Sequence, residues 1–319
     1  MTESRPTPSW RTWLQLLRAP NLFTVPGDPL AGFLLTMGGG VNVRLALAIG
    51  ASLCFYSHGL LVNDLADLAE DRRERPNRPL PSGAASPRIV VIVAAILAVV
   101  GLAFCLAVNR DTLIIGFILL AAILVYNLWS KKIAVVGPLN MGACRGLSVI
   151  LGATAGIQEV TLPDGGLAAA WSVLLPLAFF AGLGMTLYIA AVTHLARIET
   201  QANPPEVPRA LPFVGLVAVV LTFFFIAVDR HGQLLSSANI WMYLISAYTL
   251  YAGFKIYRRL IRTPAPPIPP IIGQLIRLLL PLQALFCVAS RSVAGGIAAA
   301  VLLLLWPVSR NVSRRFYAS

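Results

Sequence analysis

Apolar residues in this chain come in long blocks, with no amphipathic striping. Ten such blocks recur, near 21–40, 44–63, 89–108, 112–129, 136–157, 170–192, 209–228, 237–256, 270–289 and 292–308. Several reach the roughly 20 residues a helix needs to cross a bilayer. The pattern predicts an all-α protein, a polytopic bundle of about nine or ten transmembrane helices forming one domain over residues 1–319. Residues 1–20 read as a cytoplasmic amino-terminal segment. The run Thr263-Pro264-Ala265-Pro266-Pro267-Ile268-Pro269-Pro270 reads as a stiff, non-helical loop.

Composition agrees: 57% of the 319 residues are apolar and 12% are charged, against about 25% charged in a soluble domain. The net charge of +12 would suit nucleic acid only if the basic residues formed a patch on a soluble face. They lie between the blocks instead, so no nucleic-acid partner is expected. With ten spans, nineteen Lys and Arg residues fall on the amino-terminal side and four on the other. The positive-inside rule then places both termini in the cytoplasm of what reads as a bacterial cytoplasmic membrane. The first block follows basic residues as a signal peptide does, but Asn21, Pro26 and Asp28 interrupt it and no small-residue cleavage site is evident. It is expected to be retained as the first helix. Cys54, Cys105, Cys144 and Cys287 lie inside apolar blocks without CxxC spacing and are expected in the core. Asp28 would be an intramembrane acid that faces a cavity, unless the chain enters the membrane later. Arg277, inside the 270–289 block, would snorkel.

The 64–88 stretch differs from every other interval. Five of the thirteen carboxylates, Asp64, Asp67, Glu70, Asp71 and Glu74, fall at the end of the second block. On a helix Asp64, Asp67 and Asp71 share a face within about 60°. Their mutual repulsion calls for a cation, and hard oxygen ligands suit Mg²⁺. Glu70 and Glu74 lie off that face and are expected to be solvated or paired with arginines. A plainer account pairs all the acids with Arg72, Arg73, Arg75 and Arg78 as a charged interfacial helix. That account leaves the shared phase of the three aspartates unexplained.

Asn63-Asp64-x-x-Asp67-x-x-x-Asp71, followed by Arg75-Pro76-Asn77-Arg78-Pro79-Leu80-Pro81-Ser82-Gly83, resembles the first aspartate-rich motif of the UbiA superfamily of intramembrane prenyltransferases. The likeness extends to Ala19-Pro20-Asn21, to Tyr126-Asn127-Leu128-Trp129-Ser130-Lys131-Lys132, and to the segment from Gly137 to Gly146, over roughly the first 200 residues. The resemblance implies a helix bundle around a central cavity open to membrane lipid. It implies Mg²⁺-dependent transfer of a prenyl group from a prenyl diphosphate to an aromatic or other small lipophilic acceptor. Asp64, Asp67 and Asp71, with Asn63, would hold Mg²⁺ against the diphosphate. Arg78 and Lys131 would neutralise its oxygens. Arg145 and Asn140 would line the cavity, and Asn21 and Tyr126 would contact substrate. Tyr126, Tyr188 and Phe55 are candidates to shelter a prenyl cation, with core packing the plainer role for each.

The family carries a second acidic motif at the end of the sixth span. Here Thr193-His194-Leu195-Ala196-Arg197-Ile198-Glu199 stands in its place, with Thr193 and Arg197 at the positions of the two aspartates. Glu199 would then supply one metal ligand while Arg197 binds diphosphate directly. His194 reads as a hydrogen-bonded helix-end residue. Two functions remain open: an enzyme with one metal site and an arginine, or a non-catalytic relative that binds or exports an aromatic or isoprenoid metabolite. Oligomeric state is not legible.

Overall fold

The computed structural model describes residues 9–36, 40–157, 166–197, 206–229, 237–262 and 267–316. Helix α1 (Trp10–Leu16) starts at Ser9, whose hydroxyl accepts the Thr12 N–H at 3.2 Å. Such a cap satisfies a donor with no partner inside the helix. Arg18 then takes a left-handed conformation, φ 45°, and Pro20 sits in the first turn of a new short helix, α2 (Ala19–Leu22).

Helix α3 (Gly27–Thr36) has ten residues, about 15 Å at 1.5 Å per residue, half a bilayer's apolar thickness. The expected 21–40 span is therefore corrected to two helices with a turn between them. Pro20, Pro26 and Pro29 explain the breaks, because proline suits a helix start and removes a hydrogen bond from a helix interior.

Helix α4 (Val43–Ala66) is capped by Asn42, and a one-residue break at Asp67 separates it from α5 (Leu68–Glu74). Helix α6 (Pro87–Val108) opens on a proline, and α7 (Arg110–Leu128) on Asn109, whose side chain accepts the Thr112 N–H at 2.7 Å. A 3-10 turn, Ser130–Lys132, leads into α8 (Val136–Gly156). There follow α9 (Gly166–Arg197), α10 (Glu206–Asp229) and α11 (Ser237–Leu260). The last helices are α12 (Ile268–Arg277), α13 (Leu279–Val288) and α14 (Val293–Phe316).

The expected 270–289 segment is broken at Leu278 because Pro281 has no N–H to donate to the Arg277 carbonyl and its ring crowds that carbonyl. Residues 263–266 lie outside the described residues. The end of the expected proline-rich loop is helical: Ile268, Pro269 and Pro270 form the first turn of α12, where a missing N–H costs nothing.

Among the described residues six helices are long and apolar enough to cross a membrane. Large apolar side chains stay exposed along them, such as Ile92, Val99 and Leu106 on α6, Phe117 on α7, and Ile297 and Leu304 on α14. Acyl chains are the natural cover for so much exposed apolar surface. The protein is an integral membrane protein.

Inside this belt α8 is the central helix, packing against α9, α3 and α7. Small residues permit that contact: a Cβ on Gly142 would lie 2.1 Å from the Thr186 carbonyl oxygen of α9, and one on Gly152 would lie 2.0 Å from the Pro29 oxygen of α3. Without a hydrophobic driving force between helices in lipid, such close backbone approach supplies the packing. One apolar cluster joins α3 with α8 to α14, a second joins α3, α4, α6, α7 and α8, and a third gathers Leu16, Leu61, Leu80, Val90 and Ala94 near the end of α4. Cys105 and Cys287 are buried, Cys54 and Cys144 half-buried, and all four are free thiols.

Candidate functional site

The third apolar cluster sits beneath the acidic segment. Leu80 inserts beside Leu16 and Leu61, which folds the stretch from Arg75 to Ala85 into successive turns closed by the bonds Arg78 N–H to Arg75 O at 3.1 Å and Ala85 N–H to Pro79 O at 3.0 Å. The five-residue Pro-Leu-Pro-Ser-Gly run is thereby anchored over the end of α4, and Arg78 is turned back toward α5.

Each of the three aspartates meets a basic side chain from a different segment. Arg18 Nη2 donates to Asp64 Oδ1 at 3.3 Å, and Arg78 Nη1 donates to Asp71 Oδ2 at 2.7 Å. Lys131, carried by the 3-10 turn after α7, pairs with Asp67. Asp71 is buried and Asp64 and Asp67 half-buried, while Glu70 and Glu74 are exposed. The interfacial-helix account, in which neighbouring arginines such as Arg72, Arg73 and Arg75 pair with the acids, therefore covers only Arg78; the other two partners come from distant segments. Asn63 hydrogen-bonds the Asp64 carboxylate, and the Arg78 charge also bears on it.

Among the described residues no three His, Cys, Asp or Glu side chains converge into a ready-made metal cage. The three aspartates form a rim of alternating charge, each with one carboxylate oxygen committed to a base. Arg18 is a member of this rim, although sequence alone marks it only as one of the nineteen basic residues on the amino-terminal side. Its left-handed backbone, costing roughly 1–2 kcal/mol, directs it to Asp64, and the signal available was its place immediately before Ala19-Pro20-Asn21. Asn21 lies in α2, half-buried, three residues from Arg18.

Other expected site residues sit close to this rim. Tyr126 is half-buried within electrostatic range of Arg18, Asp67 and Arg197. Asn140 Nδ2 donates to Ser130 Oγ at 2.9 Å, so its amide shapes the turn that carries Lys131. Arg197 lies at the end of α9 with its guanidinium on the backbone of that same turn. Glu199 lies outside the described residues.

Arg145 is placed differently from the expectation that it lines a cavity. Its Nε is 2.8 Å from Asp28 Oδ2, and its Nη2 donates to the Thr24 carbonyl at 2.8 Å. Gln283 of α13 completes the group, donating to Asp28 Oδ1 at 2.6 Å and to Thr24 O at 2.8 Å. Asp28 is fully buried and pairs inside the bundle. Phe55 and Tyr188 are fully buried too, and the Tyr188 hydroxyl donates to Leu275 O at 2.8 Å. Both serve the core.

Residues 29–267 match the sequence model of the UbiA prenyltransferase family. The chain belongs to the UbiA prenyltransferase family. Digeranylgeranylglyceryl phosphate synthase of Methanocaldococcus jannaschii is 29% identical over 147 residues, which cover 46% of this chain and 52% of the relative. The enzyme of the same name from Methanopyrus kandleri is 30% identical over 178 residues, covering 54% and 60%. The match thus spans a little over half the length of these relatives.

The UbiA fold is also seen in solved structures. A UbiA homologue from Aeropyrum pernix K1 superposes with a TM-score of 0.65 at 18% identity, covering 83% of this chain and 96% of that one. A UbiA homologue from Archaeoglobus fulgidus, bound to GPP and Mg²⁺, superposes with a TM-score of 0.59 at 18% identity, covering 88% and 100%.

Proposed function

We propose that this UbiA family member binds a prenyl diphosphate with Mg²⁺ at the acidic rim and transfers the prenyl group to a lipophilic acceptor in the membrane. The rim would face the cytoplasm, on the side favoured by the basic loops. The observation that carries this reading is the alternation of Asp64, Asp67 and Asp71 with Arg18, Lys131 and Arg78. A diphosphate with a metal needs both halves of that set, hard oxygen ligands for the cation and N–H donors for the phosphate oxygens.

The donor set fits Mg²⁺, which is usually held by one or two carboxylates plus substrate phosphates and needs no complete protein cage. Asp64 and Asp67, with Asp71, would hold it. The ion would supply charge neutralisation to the leaving diphosphate. Lys131, Arg18 and Arg78 donate to the diphosphate oxygens as the allylic C–O bond breaks and its electron pair leaves with the phosphate. Tyr126, within electrostatic range of Arg18, Asp67 and Arg197, would stabilise the allylic cation with its ring. The acceptor then forms the new bond and loses a proton.

Relatives named as digeranylgeranylglyceryl phosphate synthases favour a lipophilic glycerophosphate as the first acceptor class to test, with small aromatic acceptors second. The test incubates the purified protein in lipid nanodiscs with radiolabelled prenyl diphosphates, Mg²⁺ and both acceptor classes. Release of diphosphate with a labelled lipophilic product is expected. Binding without any release would favour the second reading, a lipid-diphosphate binding protein without transferase activity. That reading draws on Thr193 and Arg197, which stand where two further carboxylates would be expected.

A further inference from the structure

The 3-10 turn Ser130–Lys132 is held from two sides. From α8, Asn140 Nδ2 donates to the buried Ser130 hydroxyl at 2.9 Å. From α9, Arg197 spreads its fork over three consecutive carbonyls: Nη1 donates to Lys131 O at 3.1 Å and also to Ile133 O, and Nη2 donates to Lys132 O at 3.3 Å. Carbonyls at the end of a helical turn lack a donor within it, and a rigid planar guanidinium can serve several at once where an ammonium cannot.

Gly137 makes room for this clamp. A Cβ there would lie 2.8 Å from Ser130 O and 3.2 Å from Arg197 Nη1. The start of α8, the turn and the end of α9 therefore meet at one point. The side chain that this point presents is Lys131, 14% exposed and paired with Asp67.

We propose that Arg197 is a positioning residue: it holds the backbone of the turn so that Lys131 is aimed at the acidic rim, and does not itself bind diphosphate. The inference rests on the proposed diphosphate site for its functional consequence, but its structural half stands alone. It replaces the sequence expectation that Arg197 contacts the substrate, because three of its five N–H donors, including both on Nη1, already serve backbone carbonyls of the turn. It also supplies a reason for an arginine at a place where the family carries an acid: the end of α9 here orients a cation.

Two measurements test it. In the ligand-free protein, brief lysine acetylation read by mass spectrometry should label Lys131 more slowly than its neighbour Lys132. Arg197→Gln should remove that difference at an unchanged thermal midpoint, and Arg197→Lys should restore part of it. Protection of Lys131 that survives Arg197→Gln would overturn the proposal. If Arg197→Gln fails to fold, Arg197→Lys alone decides by the same comparison.

The second measurement is a double-mutant cycle on Mg²⁺–pyrophosphate affinity. Arg197→Gln should weaken binding by about tenfold, the scale of one charge-assisted hydrogen bond, yet by less than about twofold in a Lys131→Ala background, since coupled residues are non-additive. A full loss in both backgrounds would make Arg197 a direct ligand and overturn the proposal. Failure of the unsubstituted protein to bind pyrophosphate would count against the proposed function, while the labelling result would still decide the role of Arg197.

Discussion

Arg145 Nε and Asp28 Oδ2 lie 2.8 Å apart in the interior of the bundle, joining α8 to the first turn of α3. Gln283 brings α13 to the same point by donating to the other Asp28 oxygen. A charge inside a membrane protein is costly unless paired, and here Asp28 is fully enclosed and Arg145 buried. The group ties the amino-terminal half of the chain to the carboxyl-terminal half.

Removal of Asp28 should therefore be more damaging than removal of both partners. Asp28→Ala strands the Arg145 guanidinium and is expected to cost about 3–5 kcal/mol, whereas Asp28→Ala with Arg145→Met should recover much of that loss. Unfolding in detergent micelles by graded denaturant measures both. Strictly additive losses would show that the two residues act independently.

The aspartates should separate from the glutamates in binding. Asp64→Asn and Asp67→Asn are each expected to lower Mg²⁺-dependent affinity for geranyl diphosphate by at least about a hundredfold, the upper end of what groups supporting a metal contribute. Glu70→Gln, at an exposed position, should change it little. With Mg²⁺ held by Asp64, Asp67 and Asp71 together with the substrate phosphates, Glu199→Gln should also be tolerated. Calorimetric titration distinguishes these cases, and a large loss in Glu199→Gln would require a second ion site.

Metal removal should act at the same rim. Chelation by EDTA is expected to abolish geranyl diphosphate binding, and added Mg²⁺ should restore it in proportion to occupancy. Binding that persists in EDTA would mean that Arg18, Arg78 and Lys131 hold the diphosphate unaided.

The packing of α8 predicts a contrast between glycines. Gly142→Ala and Gly152→Ala each drive a methyl group into a facing backbone carbonyl and should destabilise the bundle by about 1–3 kcal/mol. Gly296→Ala in α14, where nothing lies within 4 Å of the added carbon, should be neutral or stabilising by up to about 1 kcal/mol. Thermal midpoints of the three variants provide the comparison.

Helical apolar segments and the clustering of Asp64, Asp67 and Asp71 were legible in the sequence because both are local properties, hydropathy being a running sum along the chain; the single helical face expected for the three aspartates is interrupted at Asp67, where α4 gives way to α5. All ten apolar blocks carry helix, and Asp71 and Arg78, seven residues apart, share a motif that could be read directly. The remaining partners lie far off in sequence. Arg18 is 46 residues from Asp64, Lys131 is 64 from Asp67, and Gln283 is 255 from Asp28. No periodicity reports such pairings, since they depend on which helices pack together and how closely their glycines let them approach. Tertiary structure alone decided that Arg145 serves a buried ion pair and that Arg197 grips a turn. The sequence by itself determined a membrane bundle with an acidic rim, and packing determined which cation meets each acid, because a long basic side chain bonds whatever oxygen the fold brings within its reach.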